Sequence, residues 1–252
     1  MRSLARWVLT AAFAVGVAGS AVAQPPGGGR GGMGGGRGVV DVYGIVATNK
    51  DLGDELKVTD EQKDKLKEAL KPISDKRRAA MTGLGNFRDM SEEERTKAMK
   101  EMGTMNAGFT AEMKKAVKGV LDEKQYMRLT QISYQAMGLA AFAEKDVQAA
   151  LKVTDEQKDK VKAISDELTK DRAEIMRGAF GGAGAAGGDR EEMQKKFQEM
   201  QKKTAALTKE AEEKVGKLWT EDQVKAWKEM TGAKFDTSKL AQAPMQRKKK
   251  DD

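Results

Sequence analysis

A ten-residue segment occurs twice in this chain, and the duplication constrains the fold more than any other feature of the sequence. LKVTDEQKDK begins at Leu56 and again at Leu151, 95 residues later. Further matches continue at an offset that grows to 98, so that Gln125 corresponds to Gln223. The additional residues fall in a glycine-bearing stretch, where a loop accommodates an insertion without disturbing packed elements. Because the repeat is longer than a solenoid unit, we predict two tandem modules.

Each copy contains three sequence signals for the start of a helix. In each signal Thr, Ser or Asp is followed three residues later by Gln or Glu, which is the pattern of a capping box. The signals begin at Thr59, Ser91, Asp122, Thr154, Asp189 and Thr220, and they end at Gln62, Glu94, Gln125, Gln157, Glu192 and Gln223. They predict an all-α fold of two helical-hairpin modules with long amphipathic helices, residues 39–138 and 139–235. Pro72 interrupts the apolar face that follows Thr59, so we predict that this helix kinks or ends there.

Apolar side chains recur at steps of three and four residues along the second long helix of each copy. The candidate client-binding stripe consists of Met99, Met102, Phe109 and Met113 in the first copy and Met193, Phe197, Met200 and Leu207 in the second. The spacing is close to the heptad of a coiled coil, and such narrow faces must pack on another helix or another chain. Exposed methionines form an adaptable binding surface, whereas buried methionines fill gaps in a core. The sequence leaves both interpretations open.

Three segments outside the modules carry signals of their own. Residues 1–23 combine a basic start, a short apolar run and a small-residue end at Ala23, which predicts a signal peptide and a periplasmic or secreted protein. The apolar run is too short for a stable membrane span, which needs about 20 apolar residues. We predict that residues 24–38, which are mostly glycine, form a disordered leader, and that residues 236–252 form a disordered basic tail.

The chain contains no histidine and no cysteine. Their absence removes the commonest general base and the disulfide support that many exported proteins use. No nucleophile–base pair or phosphate-binding loop is recognisable, so we predict a protein that is not an enzyme and uses no cofactor. Arg30 and Arg37 among the leader glycines are similar to an RNA-binding segment, but an exported protein meets no usual RNA partner. We therefore predict no nucleic-acid binding.

Two clusters raise the question of metal binding. Met99, Met102 and Met105 form M-x-x-M-x-x-M, whose thioethers suit Cu(I), and the three consecutive glutamates from Glu92 offer carboxylates to a hard cation. A buried stripe also explains the methionines, and the helix dipole favours acidic residues in a first turn in any case. We predict no metal site, with metal binding by methionine and carboxylate kept as an alternative.

Four short segments share an apolar residue, a cap residue, two variable positions and glutamine. They are VTDEQ from Val58, LDEKQ from Leu121, VTDEQ from Val153 and WTEDQ from Trp219. These segments resemble the LTxxQ motif of the Spy/CpxP family of periplasmic helical proteins, with valine or tryptophan in place of leucine in three of them and Asp122 in place of threonine in the other. In that family one motif opens an early helix and a second lies near the end of a long helix. Each half of this chain repeats that order.

The resemblance implies a function in the cell envelope. Spy/CpxP proteins act as ATP-independent chaperones or inhibit an envelope-stress sensor kinase, so it implies unfolded proteins or a membrane sensor as partners. Family members carry one motif pair and dimerise, whereas this chain carries two pairs, which implies a homodimer or pairing of the two modules within one chain. Some relatives bind zinc, but this chain has no histidine or cysteine to supply ligands. A structural or scaffold protein of the envelope is the alternative from a different class.

Overall fold

The computed structural model describes residues 40–86, 89–180 and 190–240. These residues form α-helices and short 3-10 helices and contain no β-strand, so the predicted all-α class is confirmed. The predicted signal peptide (residues 1–23) and glycine-rich leader (residues 24–38) lie outside the described residues.

The helices follow the order of the duplication. The first copy contains α1 (Val42–Ile45), α2 (Lys50–Leu56), α3 (Asp60–Gly83), α4 (Glu92–Lys118), α5 (Glu123–Met137) and a 3-10 helix (Gly138–Ala143). The second copy contains α6 (Lys145–Ala150), α7 (Asp155–Phe180), α8 (Arg190–Gly216), α9 (Glu221–Thr231) and a 3-10 helix (Thr237–Leu240). Helices α3 and α4 pack against each other as one hairpin, and α7 and α8 pack as another.

The described residues divide into two compact units. The first unit comprises residues 40–141 and 227–240, and the second unit comprises residues 142–226. This division differs from the predicted modules, residues 39–138 and 139–235. Residues 139–141, the last residues of α9 and the segment after α9 belong to the first unit. Each unit contains one long hairpin and two of the four LTxxQ-like segments.

The helices begin at the predicted caps. The Thr59 hydroxyl accepts from the backbone N–H of Gln62 at 3.2 Å, and Gln62 Oε1 accepts from the N–H of Thr59 at 3.0 Å. The same reciprocal bonds form at Ser91, Asp122, Thr154 and Thr220. The sixth predicted box, at Asp189, lies outside the described residues. Each box satisfies backbone N–H groups that the first turn leaves unpaired, which fixes where the helix starts.

Pro72 lies inside α3, which continues to Gly83. The predicted alternative in which the helix ends at Pro72 is therefore wrong. Pro72 and Glu68, whose carbonyl loses its usual donor, are both exposed, so water can solvate that carbonyl. Leu70 and Ile73 are buried on either side of the proline, and their packing holds the helix together across it.

Replacing Pro72 by alanine is expected to stabilise the first unit. A proline in a helix interior costs about 3 kcal/mol relative to alanine. Alanine also leaves the unfolded chain more freedom, by about 0.4–1 kcal/mol, and the helix already accommodates the ring, so we expect a net gain of about 1–2 kcal/mol in the free energy of unfolding. Urea denaturation of the full chain measures this gain. Glu167→Ala at the corresponding position of the second copy is the control and should change stability by less than about 0.5 kcal/mol.

The first unit has one hydrophobic core to which most of its helices contribute. Its completely or almost completely buried members include Tyr43, Leu52, Leu66, Met113, Leu129, Ile132 and Leu240. The Tyr43 hydroxyl donates to Thr130 Oγ1 at 3.2 Å, which satisfies the only polar atom of that buried side chain. This core surrounds the starts of α3 and α5.

The predicted disordered tail begins too early. Thr237–Leu240 forms a 3-10 helix that packs against α2 and α5, and both Phe235 and Leu240 belong to the core of the first unit. Two apolar residues five positions apart carry no helical period, so periodicity could not identify this segment. Residues 241–252 of the predicted tail lie outside the described residues.

The second unit has its own core. Val147, Leu151, Val161, Leu168, Ala211 and Val215 are buried in it. The rings of Phe142 and Trp219 lie 4.9 Å apart between centroids, at a tilt of 43°. This core surrounds the starts of α7 and α9, where the two LTxxQ-like segments of the second unit lie.

Candidate binding site

The two LTxxQ-like glutamines of the first unit bond directly to each other. Gln62 Nε2 donates to Gln125 Oε1 at 2.7 Å, and Gln125 Nε2 donates to Gln62 Oε1 at 3.1 Å. Each amide oxygen also accepts from the N–H of its own cap residue, Thr59 or Asp122. We call this reciprocal pair of side-chain amides, together with its cap bonds, the amide clasp.

The amide clasp also binds the main chain that leads into each motif helix. Gln125 Nε2 donates to the carbonyl oxygens of Leu56 and Lys57, each at 3.2 Å. Gln62 Nε2 donates to the carbonyl oxygen of Val120 at 3.5 Å. The clasp therefore joins the starts of α3 and α5, which are more than sixty residues apart in sequence.

The second unit contains the same clasp. Gln157 Nε2 donates to Gln223 Oε1 and Gln223 Nε2 donates to Gln157 Oε1, both at 2.9 Å. Gln157 also donates to the carbonyl of Leu218 at 2.8 Å, and Gln223 donates to that of Leu151 at 3.1 Å. These carbonyls correspond to partners in the first unit. The four motif glutamines thus fix helix starts in both units, and they are placed as structural residues.

The backbone before each clasp is repeated as well. Lys57 and Lys152 adopt left-handed conformations, with φ of 53° and 49°. The N–H of the next residue, Val58 or Val153, bonds to the carbonyl five residues earlier at 2.9 Å. This pattern ends a helix and satisfies its last carbonyls. The duplication therefore extends to the backbone conformation immediately before the first LTxxQ-like segment of each unit.

The candidate client-binding stripe is buried at one end and exposed at the other. Met113 is completely buried in the first unit's core, so its inclusion in a surface stripe is wrong. The reason is that α1 packs on α4 and places Gly44 against Met113. The half-buried members are Met102, Phe109, Met193, Met200 and Leu207. Met99 and Phe197 are the exposed members, at 59 % and 41 %.

Large exposed apolar side chains occur at matched positions of the two hairpins. Met81 on α3 corresponds to Met176 on α7, and each is 39 % exposed. Met99 on α4 corresponds to Phe197 on α8, and each is the eighth residue of its helix. All four lie in the part of their helix nearest the connection between the two hairpin helices. We call these four residues the loop-end set.

The correspondence of exposed apolar residues between the two copies distinguishes the loop-end set from ordinary surface residues. Single exposed apolar residues are normal on soluble proteins and need no explanation. Met127 is an example, since it is 54 % exposed on α5 but corresponds to Lys225 in the second copy. The loop-end set instead keeps a large apolar side chain at both of its paired positions, which indicates a surface that the duplicated module has retained.

Charges of both signs lie near the loop-end set. The first turn of α4 carries three glutamates, and the backbone N–H of Ser91 holds the pKa of Glu94 below its usual range. An open depression on α4 is lined by Glu92, Glu93, Thr96, Lys97 and Lys100. On α8, Lys196 pairs with Glu192 at 2.8 Å. These groups are solvated, so they add little to stability.

The pKa shifts of the described residues have structural causes. Hydrogen bonds from lysines three or four residues away lower the pKa values of Asp60, Glu61, Asp155 and Glu156. Burial raises the pKa of Glu212, and the nearby charge of Arg172 opposes that rise. The first four shifts arise from exposed ion pairs within one helix, and the shift of Glu212 arises from the packing of α7 against α8.

The three methionines whose spacing suits Cu(I), the alternative to the prediction of no metal site, lie in different environments. Met99 is exposed, whereas Met102 and Met105 are half-buried. In residues 40–86, 89–180 and 190–240, no group of three or more acidic side chains is arranged to hold a metal ion. Within the same ranges, none of the helices combines the length and the apolar character needed to cross a bilayer.

No protein-family model, no curated protein and no solved structure matches the chain. The resemblance to the Spy/CpxP family therefore rests on the four short segments that form the two clasps.

Two members of the loop-end set are missing from the predicted stripe. Met81 and Met176 lie on the first helix of each hairpin, whereas the stripe follows the second helix. Their correspondence at the 95-residue offset is the signal that identifies them. Pairing between glutamines has no comparable signal, because a capping box predicts only bonds within one helix start.

Proposed function

We propose that this protein is a non-enzymatic, exported binding protein that holds unfolded polypeptides on the ends of its two hairpins, in the manner of a Spy/CpxP-like ATP-independent chaperone. The matched exposure of the loop-end set is the observation that carries the proposal. The signal-like residues 1–23 support export, and the four LTxxQ-like segments support the family comparison.

The chemistry of the loop-end set suits unfolded clients. Three of its four members are methionines, whose flexible thioether side chains adapt to varied apolar partners. Burying a methionine completely gains about 1.5–3 kcal/mol, so a half-exposed one contributes about 1 kcal/mol. Ordering an unfolded segment offsets part of this gain. Each hairpin end should therefore bind weakly and release its client without ATP.

The two hairpins should act as two equivalent sites. Each unit carries its own clasp, its own core and its own half of the loop-end set, so a client segment held by one unit does not use the residues of the other. We therefore expect up to two client segments for each chain. The mixed charges around these residues favour rapid encounter and release more than tight binding.

Aggregation of a chemically denatured client, diluted into buffer without ATP, tests the proposal. We expect the mature chain to suppress light scattering at about one to two chains per client. A helical protein of similar size and charge serves as the control. A mature chain that is folded by circular dichroism, yet leaves the aggregation unchanged at a tenfold excess, would exclude the chaperone function.

A scaffold function is the second candidate, and the clasps favour it. In each unit one reciprocal amide pair holds the helix starts in fixed positions, which suits a particle that presents its helices to one defined partner. A scaffold would ignore unfolded clients and bind one folded protein at a fixed ratio. The aggregation assay therefore separates the two functions.

A further inference from the structure

Methionine is the only sulfur-containing residue type of this chain, which has 15 methionines and no cysteine. Peroxides transfer oxygen to sulfur side chains, and here only thioethers are available to them. In the described ranges the large exposed apolar residues are four methionines and one phenylalanine. Met81, Met99 and Met176 of the loop-end set are three of those four methionines. The surface proposed to bind clients therefore also carries most of the exposed methionines.

Access to the sulfur differs sharply between the methionines of one helix. Met99 is 59 % exposed on α4, whereas Met113 on the same helix is 0 % exposed. The main chain of α1 covers the sulfur of Met113, since a Cβ added at Gly44 would lie 3.2 Å from Met113 Sδ. Because susceptibility to oxidation follows exposure, the fold itself selects which sulfurs a dissolved oxidant reaches.

Oxidation changes an exposed methionine from apolar to polar. The thioether sulfur attacks one oxygen of the peroxide, and the S–O bond forms as the O–O bond breaks. The sulfur loses two electrons, and the departing hydroxide takes up the proton of the transferred oxygen and leaves as water. The resulting sulfoxide is polar and no longer suits an apolar client segment. Since Met81 and Met99 are already substantially exposed, water solvates the added oxygen and the helices stay packed.

The two hairpins differ in how much of the loop-end set an oxidant can change. The first hairpin carries methionine at both positions, whereas the second carries Met176 and Phe197. The phenylalanine ring has no sulfur, so a peroxide that modifies both members of the first hairpin modifies one member of the second. The second hairpin therefore keeps an apolar contact that this oxidant does not remove.

We propose that the loop-end methionines are a modification site for two-electron oxidants of the peroxide class, and that sulfoxide formation there switches client binding off. The inference rests on the proposed function, because it assigns a control to the same surface. We expect the affinity for a client to fall about tenfold at the first hairpin, where two contacts change, and about threefold at the second, where one changes. Reduction of both sulfoxide epimers by methionine sulfoxide reductases should restore the affinity.

Limited oxidation of the full chain with hydrogen peroxide tests the selection of the sulfurs. Peptide mass spectrometry should find sulfoxide at the four exposed methionines before Met113 reacts, while circular dichroism shows that the protein stays helical. This measurement needs no client. If Met113 in the folded protein reacts as fast as Met99, the fold selects nothing and the proposal is overturned.

Client affinity before and after oxidation tests the switch. Fluorescence anisotropy of a labelled unfolded client is measured for the first hairpin in a chain with Met176→Gln and Phe197→Gln. The second hairpin is measured in a chain with Met81→Gln and Met99→Gln. Each protein is compared with itself, so its starting affinity does not enter, and we expect the tenfold and threefold losses given above.

Leucine substitutions are the matched control for the sulfur chemistry. Leucine is apolar but has no sulfur, so in the chain with Met176→Gln and Phe197→Gln the pair Met81→Leu with Met99→Leu should reduce the loss on oxidation to less than about twofold. Met127→Leu in the same chain should give no such protection.

The outcomes separate this inference from the proposed function. A first hairpin that binds the client equally well before and after sulfoxide formation would overturn the switch and leave the proposed function intact. The same holds if the leucine pair loses as much affinity as the unsubstituted hairpin. A chain that binds no client even before oxidation would overturn the proposed function and the switch with it.

Discussion

Replacing Gln125 by alanine is expected to lower the free energy of unfolding of the first unit by about 2–4 kcal/mol. The substitution removes both bonds to Gln62 and the cap bond to the N–H of Asp122. It also leaves the carbonyls of Leu56 and Lys57 without their side-chain donor. A partly buried polar group that loses its partner costs more than the bond itself contributed, which is why the expected loss is large. Hydrogen exchange of the α3 and α5 amides measures the loss within the unit.

Gln223→Ala in the second unit is the matched experiment. Gln223 is 8 % exposed and makes the corresponding bonds, so the loss there should be at least as large but confined to α7 and α9. Gln125→Glu serves as the chemical control, because it keeps an oxygen for the cap but lacks the amide donor. We expect Gln125→Glu to lower the free energy of unfolding by more than half of the loss that Gln125→Ala causes. A loss below about 1 kcal/mol in both alanine variants would show that the clasps do not hold the units together.

Replacing both loop-end residues of one hairpin by glutamine should weaken client binding without unfolding the protein. For Met81→Gln with Met99→Gln, the lost apolar contact is about 1–2 kcal/mol, which corresponds to an affinity about tenfold lower at that hairpin. Because both side chains are substantially exposed, the free energy of unfolding should change by less than about 0.5 kcal/mol for each substitution. Fluorescence anisotropy of a labelled unfolded client measures the affinity.

The structure offers a control of the same residue type. Met127 is as exposed as the loop-end methionines but has lysine at the corresponding position of the second copy. Met127→Gln should therefore leave client binding unchanged. Met176→Gln with Phe197→Gln should remove the second site, and the combination of all four substitutions should abolish suppression of aggregation. If Met127→Gln lowered the affinity for the client as much as the loop-end variants do, any exposed apolar residue would bind clients.

The sequence predicts local features of the fold well. A capping box needs only residues three positions apart, and the boxes at Thr59, Ser91 and Asp122 form where the pattern places them. The all-α class follows from the same signals. Pro72 is harder to interpret. Proline strongly disfavours the interior of a helix, but the burial of Leu70 and Ile73 outweighs that preference here.

Long-range features are outside the reach of such patterns. The pairing of Gln62 with Gln125 joins positions 63 residues apart, and residues 233–240 pack on helices that precede them by about a hundred residues or more. Exposure along the stripe is equally unpredictable, since Met99 and Met113 lie on one helical face yet only Met113 meets another helix there. Periodicity identifies a face but not what covers it.

Photo-crosslinking from the loop-end set tests the central claim most directly. A benzophenone amino acid is placed at Met99 or Phe197 of the full chain, or at Met127 for comparison, and each protein is irradiated with an unfolded client. We expect client adducts from Met99 and from Phe197 at similar yield and at least about fivefold less from Met127. Adducts of equal yield from all three positions, or none from Met99 and Phe197, would contradict the assignment of the hairpin ends as the binding surface.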